Sequence, residues 1–351
     1  MVIVRPVRPG DLDSLVELTS QIAFGLTTLP HDRDVLRRRV LDSVHGFSKL
    51  GGPPRGETYL LVMEDLNTHA VVGTAGLVSK VGGFEPFYAY RLDTVVHESK
   101  TLGVRKEIQV LRLVAEHDGP TEIGSLFLAP SYRRSQHGRL LSLSRFVFVA
   151  DHRADFENVI LAEMRGILDE KGGSPFWDAL PSHFFGVEYS KADSLVMKDK
   201  TFIADLVPRF PVYVPLLPKA AQEVINQVHP DSLPALKLLR EEGFASAGMV
   251  DIFEGGPVVS CVTDEIRTVR ESRATVVHKI SAHPIESEPF IVSNTYAQGF
   301  RACAASLAIV PGKGIQITKE TAAALDLKKG DAVRIVRMRP GIGEPDLTEG
   351  A

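Results

Sequence analysis

The chain has 351 residues, of which 44% are hydrophobic and 24% are charged; this composition is typical of a globular protein with a sizeable core, and the length favours two domains. A net charge of −4 gives no basic surface of the kind that binds nucleic acid or anionic membranes. Two cysteines are too few for a disulfide framework or a metal site, and we find neither a signal peptide nor an apolar run of roughly 18 residues, so we expect a cytoplasmic protein.

The first 120 residues predict two helices and four strands. Asp11 is placed to cap the first helix, which has apolar residues at helical spacing. Asn67 and Thr68 are turn residues between two apolar runs, and this pattern predicts a hairpin. The stretch from 82 to 120 resembles an insertion around one strand. The predicted strands are 2–7, 58–65, 70–81 and 87–97, and the predicted helices are 11–22 and 32–44.

Residues 121–268 predict a second series of strands and helices. An alternating apolar stretch at 122–128 leads into a basic loop, and a helix begins near Gly138. Gly243 is a natural C′ residue for a later helix. The other predicted strands are 158–166 and one or two within 245–262, and the other predicted helices begin at 174 or cover 219–228 and 232–244.

The character of the chain changes after about residue 268. Short apolar strands, a short helix at 318–326 and a Lys-Lys-Gly-Asp turn before a final strand follow one another. We therefore divide the chain into a large region of helices and strands at 1–268, a small mostly-β domain at 269–340 and a tail at 341–351.

The basic loop after the strand at 122–128 has features of a phosphate-binding turn. The unpaired N–H groups of a helix beginning near Gly138 would point into the loop with roughly half a positive charge. Arg133 and Arg134 add two full charges, which suit a pyrophosphate. The loop follows a late strand rather than the first, which is not typical of a dinucleotide-binding fold. A surface loop with ordinary arginines is the alternative.

This loop resembles the acyl-CoA signature of the Gcn5-related N-acetyltransferase (GNAT) superfamily, (Arg/Gln)-x-x-Gly-x-(Gly/Ala). Arg133, Gln136 and Gly138 occupy its three fixed positions, and only the middle one departs from the signature. A glutamine has a steric cost at positive φ, so either this backbone is strained or the loop follows another path. The resemblance implies an α+β fold, in which helices flank a mixed, mainly antiparallel twisted sheet.

A second segment, HPDSLPALKLLREEGF, is similar to the GNAT helix that covers the acyl-CoA. Four of six fixed positions match, and the six are Ser232, Ala235, Leu238, Leu239, Gly243 and Phe244. Leu239 replaces a tyrosine that protonates the departing thiolate in many GNAT enzymes. His229 lies three residues before Ser232, and a histidine with a pKa of about 6.5 can deliver this proton. A surface histidine before a proline turn is the alternative.

Longer segments resemble one GNAT family, the arginine N-succinyltransferases of the alpha-subunit type. They are GLTTLP (25–30), 126–146, AEMRGILDEKGGSPFWDAL (162–180), 202–213, 227–244 and DIFEGGP (251–257). The resemblance implies transfer of succinyl from succinyl-CoA to the α-amine of L-arginine in arginine catabolism, and some members accept ornithine. It implies no permanently bound cofactor, because succinyl-CoA is a co-substrate. The 269–340 domain would be a small barrel related to swapped-hairpin domains.

The same resemblance implies roles for single residues. His229 falls on the proposed proton donor, and Leu126 falls on the acyl-CoA contact next to the turn at 133–138. The strand at 125–128 would splay away from its neighbour and expose backbone N–H groups. These groups would stabilise the oxyanion that forms during direct attack in a ternary complex.

The arginine substrate carries a carboxylate and a guanidinium, so its pocket should offer cations and acids. Arg91 and Arg165 are candidates for binding carboxylates, including that of the succinyl tail, and Glu163 and Asp193 are candidates for binding the guanidinium. For each of the four, a structural ion pair is the alternative. The sequence assigns no general base.

Two other functions stay open from the sequence. The chain could be a GNAT acyltransferase for another amine, or a non-catalytic or partner-dependent subunit that binds acyl-CoA or arginine. The strand edges of the β-domain suit pairing with a second chain. We therefore expect a homo-oligomer, or a hetero-oligomer with a paralogous beta chain.

Overall fold

The computed structural model describes residues 1–22, 29–169, 172–196 and 200–341, and at 190, 193 and 194 the backbone alone. The described residues form a 16-stranded sheet with helices around it. The strands are β1 (Val2–Pro6), β2 (Thr58–Asp65), β3 (Val71–Val78), β4 (Phe87–Ser99), β5 (Val104–Glu116), β6 (Thr121–Leu128), β7 (Val159–Glu163), β8 (Val212–Tyr213), β9 (Ala245–Val250), β10 (Pro257–Val262), β11 (Arg273–Ser281), β12 (Phe290–Asn294), β13 (Ala302–Ala305), β14 (Ala308–Val310), β15 (Gly314–Thr318) and β16 (Ala332–Arg337). The helices are α1 (Leu12–Thr19), α2 (Arg33–Ser48), α3 (His137–Asp151), α4 (Pro175–Ala179), α5 (Ser182–Phe185), α6 (Tyr189–Leu195), α7 (Thr201–Leu206), α8 (Lys219–Val224), α9 (Leu233–Glu241), α10 (Arg267–Glu271) and α11 (Lys319–Leu325).

The strands lie side by side in the order β14-β15-β11-β16-β12-β13-β1-β2-β3-β6-β7-β10-β9-β4-β5-β8. The pairs β6 with β7 and β11 with β15 are parallel, and the other neighbouring strands are antiparallel. The predicted mixed, mainly antiparallel sheet with flanking helices is therefore confirmed. The order is open at both ends, so the small C-terminal barrel is not confirmed by the pairing of the described strands.

Helix α3 is the centre of the main core. Residues 140–149 are all buried, and the core that they form includes Ile123 and Leu128 from one face of β6. On the opposite face of the sheet, Val40 of α2 belongs to the core that includes Phe127. Successive strand residues point to opposite faces, so Phe127 and Leu128 contact different helix layers. The sheet is thus covered by α3 on one face and by α1 and α2 on the other.

The stretch from 82 to 120 is a long hairpin. Strands β4 and β5 pair along their whole length, from Phe87 opposite Glu116 to Ser99 opposite Val104. The sequence predicted β4 and missed β5. The reason is that the first residues of β5, at 104–107, are exposed and mostly charged, so they lack the alternation of a half-buried strand.

The C-terminal strands β11 to β16 and helix α11 build a core of their own. Within the sheet, this region meets the rest through a single pair, Val4 of β1 opposite Ala302 of β13. An ion pair adds a second connection, because Arg334 Nε donates to Asp151 Oδ1 over 2.7 Å at the end of α3. The C-terminal region therefore continues the main sheet: Ile3 of β1 belongs to its hydrophobic core, while Phe300 and Val336 pack in the core of α3.

One helix end agrees with the sequence predictions, and two differ from them. The end of α9 agrees, because Gly243 follows it with φ of 102° and is the expected C′ glycine. Helix α8 stops at Val224, earlier than predicted. Asp11 precedes α1 without capping it, because its carboxylate accepts hydrogen bonds from the Arg5 guanidinium and the Arg8 N–H. Among the described residues, no helix is both long and apolar enough to cross a bilayer.

Candidate active site

A gap opens in the middle of the sheet between β6 and β7. Among the described residues, these two parallel strands pair only at Thr121 with Ile160 and at Glu122 with Leu161. Beyond these pairs β6 runs on to Leu128 and stays paired with β3 on its other side. The predicted divergence of the strand at 125–128 from its neighbour is therefore present.

A β-bulge at Ser125 shapes the edge of this gap. The register between β3 and β6 shifts between Thr74 and Gly76, and Ser125 has a positive φ of 50°. Two hydrogen bonds hold the bulge, since Thr74 Oγ1 donates to Ser125 O over 2.8 Å and Arg39 Nη2 donates to Ser125 Oγ over 2.5 Å. The bulge is thus fixed by groups from β3 and α2.

The residues after the bulge direct backbone polar groups into the gap. The N–H of Ala129 donates to Val72 O, and Phe127 lies opposite Thr74, so these residues face β3. Because backbone groups alternate along an antiparallel strand, the N–H groups of Leu126 and Leu128 point the other way, toward β7. These two N–H groups are donors available to a ligand that enters the gap.

The turn before α3 has the features of an anion site. Ser135 and Gln136 have φ of 52° and 64°, so both adopt the left-handed conformation. Arg133 Nε donates to Leu128 O over 3.0 Å, and Arg134 is exposed. A Cβ added at Gly138 would have Leu128 at 3.9 Å as its nearest contact outside the adjacent residues and the helix backbone, so there is open space beside Gly138 in the first turn of α3.

Gln136 therefore has the strained backbone that was one of the two alternatives from the sequence. A non-glycine residue in this conformation costs about 1–2 kcal/mol, and φ of 64° with ψ of 14° lies within it. The side chain does not cap α3. Its Oε1 accepts a long hydrogen bond of 3.4 Å from Arg339 Nε, which follows β16. Gln136 thus adopts the left-handed backbone conformation of the signature glycine, and its side chain links the turn to the C-terminal region.

His229 lies on the β7 side of the gap. Its backbone N–H donates to Arg165 O over 2.8 Å, two residues beyond the end of β7. Its ring Nδ1 accepts from the Asp231 N–H over 3.2 Å, so the proton of the neutral ring is on Nε2. Partial burial and the Arg165 charge lower the pKa of His229, and the Asp231 carboxylate partly opposes this. The imidazole is therefore mainly neutral at pH 7.

Arg165 and His229, which are both predicted site residues, are therefore neighbours in the structure. The Arg165 Nε is buried without a hydrogen-bond partner, which leaves a cationic donor beside the histidine. Arg91 lies elsewhere, on the exposed part of β4, where its Nε donates to Asp93 over 2.8 Å. Asp193 falls in α6 at a position whose side chain lies outside the described residues.

A cluster of three carboxylates lies on the opposite face of the sheet from α3. Ile160 and Ala162 of β7 belong to the α3 core, so alternation directs Glu163 to the other face. Part of the Glu163 surface is accessible to solvent. Desolvation by the surrounding protein, followed by repulsion from the carboxylates of Glu122 and Asp251, nevertheless raises the pKa of Glu163 well above the usual range. We call Glu122, Glu163 and Asp251 the carboxylate cluster.

Two cations moderate the carboxylate cluster. Burial raises the pKa of Glu122, and Lys200 and Arg39 partly offset that effect. Burial also lowers the pKa of Arg39 to about 10, and its Nε has no hydrogen-bond partner. The sequence predicted only Glu163 among these residues. Among the described residues, no group of three or more histidine, cysteine or acidic side chains is arranged to hold a metal ion.

The comparison with protein families decides the relationship. A family described as "Arginine N-succinyltransferase beta subunit" matches residues 2–268, and the family described as its C-terminal domain matches residues 272–337. The chain belongs to the arginine N-succinyltransferase family.

Relatives in the arginine N-succinyltransferase family align along nearly the whole chain. The arginine N-succinyltransferase of Photorhabdus laumondii is 39% identical over 97% of this chain and 99% of its own length. The arginine N-succinyltransferase of Enterobacter sp. strain 638 is 40% identical over 97% of this chain and 98% of its own length. The solved structure of arginine/ornithine succinyltransferase subunit AI from Pseudomonas aeruginosa is 34% identical, covers 97% of this chain and 99% of its own, and superposes with a TM-score of 0.88.

The subunit labels of these arginine N-succinyltransferases differ. The family description names a beta subunit, the solved structure is a subunit AI, and the sequence resembled the alpha-subunit type. The family is therefore confirmed, and the assignment to the alpha-subunit type stays a prediction.

Proposed function

We propose that this chain transfers succinyl from succinyl-CoA to the α-amine of L-arginine by direct attack in a ternary complex, with ornithine as a second acceptor. The observation that carries the proposal is the gap between β6 and β7, with free N–H donors on one side and His229 on the other. The reaction would be the first step of a succinylating route of arginine catabolism.

Succinyl-CoA would bind on the α3 side of the gap. Its pyrophosphate would lie in the turn at 133–138, against the N–H groups of the first turn of α3 and the side chains of Arg133 and Arg134. The open space at Gly138 supports this position. The thioester would then reach Leu126, whose N–H would hydrogen-bond the carbonyl oxygen and stabilise the oxyanion.

The chemistry requires two proton movements. The α-ammonium of arginine loses one proton before its nitrogen attacks the thioester carbon, and it loses a second as the amide forms. The C–S bond breaks, and the thiolate takes one proton to give free coenzyme A, while the other leaves to solvent. His229 in its imidazolium form would supply the proton to sulfur from Nε2, directly or through one water molecule, and one of the two amine protons would restore the imidazolium.

Arginine would bind on the opposite face of the sheet, at the carboxylate cluster. Glu163, with Glu122 and Asp251, would bind its guanidinium, because a cation beside these carboxylates favours their charged forms. Arg165, beside His229, would bind a carboxylate, either that of arginine or that of the succinyl tail.

Release of free thiol from succinyl-CoA tests the proposal. The purified protein should release thiol when L-arginine is added and not without an acceptor. Absence of turnover with both arginine and ornithine would overturn the assignment. Acetyl-CoA should be a poorer donor by at least tenfold in kcat/KM, because it lacks the carboxylate that a cation such as Arg165 would bind. Equal rates with the two donors would favour an acetyltransferase.

Assembly and location are part of the same proposal. We propose that the protein acts in the cytoplasm as a homo-oligomer or with a paralogous beta chain, and that strands β11 to β16 form the small barrel expected from the sequence. Among the described strands β14 is an edge strand, and its free edge would pair either with β13 to close the barrel or with a second chain. Light scattering of the purified chain, alone and mixed with a beta chain, measures its assembly.

A further inference from the structure

The bulge in β6 places a serine in a backbone conformation that needs support from its surroundings. Ser125 is 3% exposed and has φ of 50°, and a residue other than glycine keeps such a conformation only where neighbouring groups hold it. The next residue is Leu126, whose N–H would stabilise the oxyanion under the proposed function. A small movement of Ser125 would therefore move the donor on which the reaction depends.

Arg39 holds Ser125 from a helix that is itself fixed on the sheet. The N–H of Leu60 in β2 donates to Ser43 Oγ over 2.7 Å, and Ser43 lies one turn after Arg39 on the same face of α2. From this anchored helix, Arg39 Nη2 donates to Ser125 Oγ over 2.5 Å. The guanidinium thus reaches across β3 and connects α2, which is anchored on β2, with the bulge in β6.

Gly76 of β3 leaves the space through which this contact passes. A Cβ added at Gly76 would lie 3.0 Å from Ser125 Oγ and 3.4 Å from Arg39 Nη2. Gly76 also lies opposite Gly124, the residue before Ser125, next to the shift in register between β3 and β6. A side chain at position 76 would therefore displace the serine or the guanidinium.

The position of Arg39 is costly for the fold. Its Nε is buried without a hydrogen-bond partner in the described part of the chain, and a buried donor without a partner lowers stability. Burial lowers the pKa of Arg39 to about 10, so the side chain is still a cation at pH 7. An apolar side chain would avoid both costs but could not hold the serine hydroxyl. The hydrogen bond to Ser125 is therefore what the arginine adds to the structure.

We propose that Arg39 is a positioning residue for the acyl transfer, which acts through Ser125 to direct the Leu126 N–H toward the thioester oxygen. This role rests on the proposed function. Two variants remove the contact from opposite sides, since Arg39→Met keeps most of the side chain without its donors, and Ser125→Ala removes the acceptor. Arg38→Met is the matched control, because Arg38 is exposed on the same helix.

Steady-state kinetics of thiol release from succinyl-CoA, with L-arginine as acceptor, separate positioning from binding. Arg39→Met and Ser125→Ala should each lower kcat by about 10²-fold, with KM for succinyl-CoA within about threefold, because a misplacement of reacting groups by about 1 Å has an effect of this size. The double variant should lose no more than either single variant, since both remove the same contact. Wild-type kcat in Arg39→Met, or losses that multiply in the double variant, would overturn the proposal.

Backbone amide NMR of the full chain without substrates tests the same contact independently of turnover. The amides of Leu126 and Leu128 should shift in Arg39→Met and keep their wild-type positions in Arg38→Met. Amides that do not shift in Arg39→Met would contradict the positioning role. A wild-type protein without turnover on arginine or ornithine would instead overturn the proposed function, and the amide shifts would still show whether Arg39 holds the bulge.

Discussion

Replacement of Glu163 by glutamine should sharply reduce the release of protons when L-arginine binds. In the free protein, desolvation and the carboxylates of Glu122 and Asp251 raise the pKa of Glu163, so below that raised value the group holds a proton. A guanidinium beside the cluster favours the charged carboxylate and lowers the pKa again. Arginine therefore expels the proton as it binds.

Proton release on binding makes the affinity for arginine depend on pH, and thermodynamic linkage gives the sign and size of this dependence. A group whose pKa is lower in the complex than in the free protein makes binding tighter as pH rises. The dissociation constant for arginine should fall about tenfold per pH unit between the two pKa values and level off above the higher one. In Glu163→Gln this slope should disappear. At high pH the affinity should be about 10–100-fold weaker, the loss expected for a hydrogen bond to a charged group.

Calorimetric titration in two buffers of different ionisation enthalpy counts the protons. The remaining carboxylates of Glu122 and Asp251 repel one another less once Glu163 is neutral, so their proton release should decrease too. Glu107→Gln is the matched control, because Glu107 is 67% exposed on the hairpin; it should behave like the wild-type protein. Proton release and affinity that are unchanged in Glu163→Gln would refute the reasoning.

Three further variants test other parts of the structure. His229→Ala should lower kcat for thiol release by at least ~10²-fold, and a wild-type kcat would remove His229 from the mechanism. Gln136→Gly should raise the free energy of unfolding by about 0.5–1 kcal/mol by relieving backbone strain, with coenzyme A affinity within threefold; clearly weaker binding would assign the glutamine side chain a contact. Glu242→Ala breaks a buried ion pair with Arg267 and should cost about 3–5 kcal/mol in urea unfolding, whereas Glu271→Ala, which removes the half-exposed partner of the same arginine, should cost under about 1 kcal/mol.

The geometry of the turn at 133–138 could be predicted from the sequence because its parts are local. Arg133 and Gly138 lie a few residues apart, and the helix that follows fixes their relation. The strain at Gln136 could also be anticipated, since the signature has glycine there. The same local reasoning found the strand at 122–128, because apolar alternation is a property of a few consecutive residues.

The carboxylate cluster could not be predicted in the same way. Glu122 and Glu163 lie on two strands, and Asp251 lies in the turn after a third, so only the strand order brings them together. Sequence reasoning had Glu163 as an acid for the guanidinium but could not name its neighbours. Arg91 was a candidate on charge alone; the structure pairs it with Asp93, and its role in binding a carboxylate stays a prediction.

The sheet itself explains how two substrates of opposite charge could share one site. The positive end of α3 and the turn at 133–138 lie on one face, where Leu128 packs in the α3 core. The carboxylate cluster lies on the other face, on the side of Arg39. A continuous sheet would keep an anionic thioester and a cationic amine apart. They can meet where β6, after Glu122, is no longer paired with β7 in the described part of the sheet. Under the proposed roles, the bulge at Ser125 therefore determines where the reaction occurs.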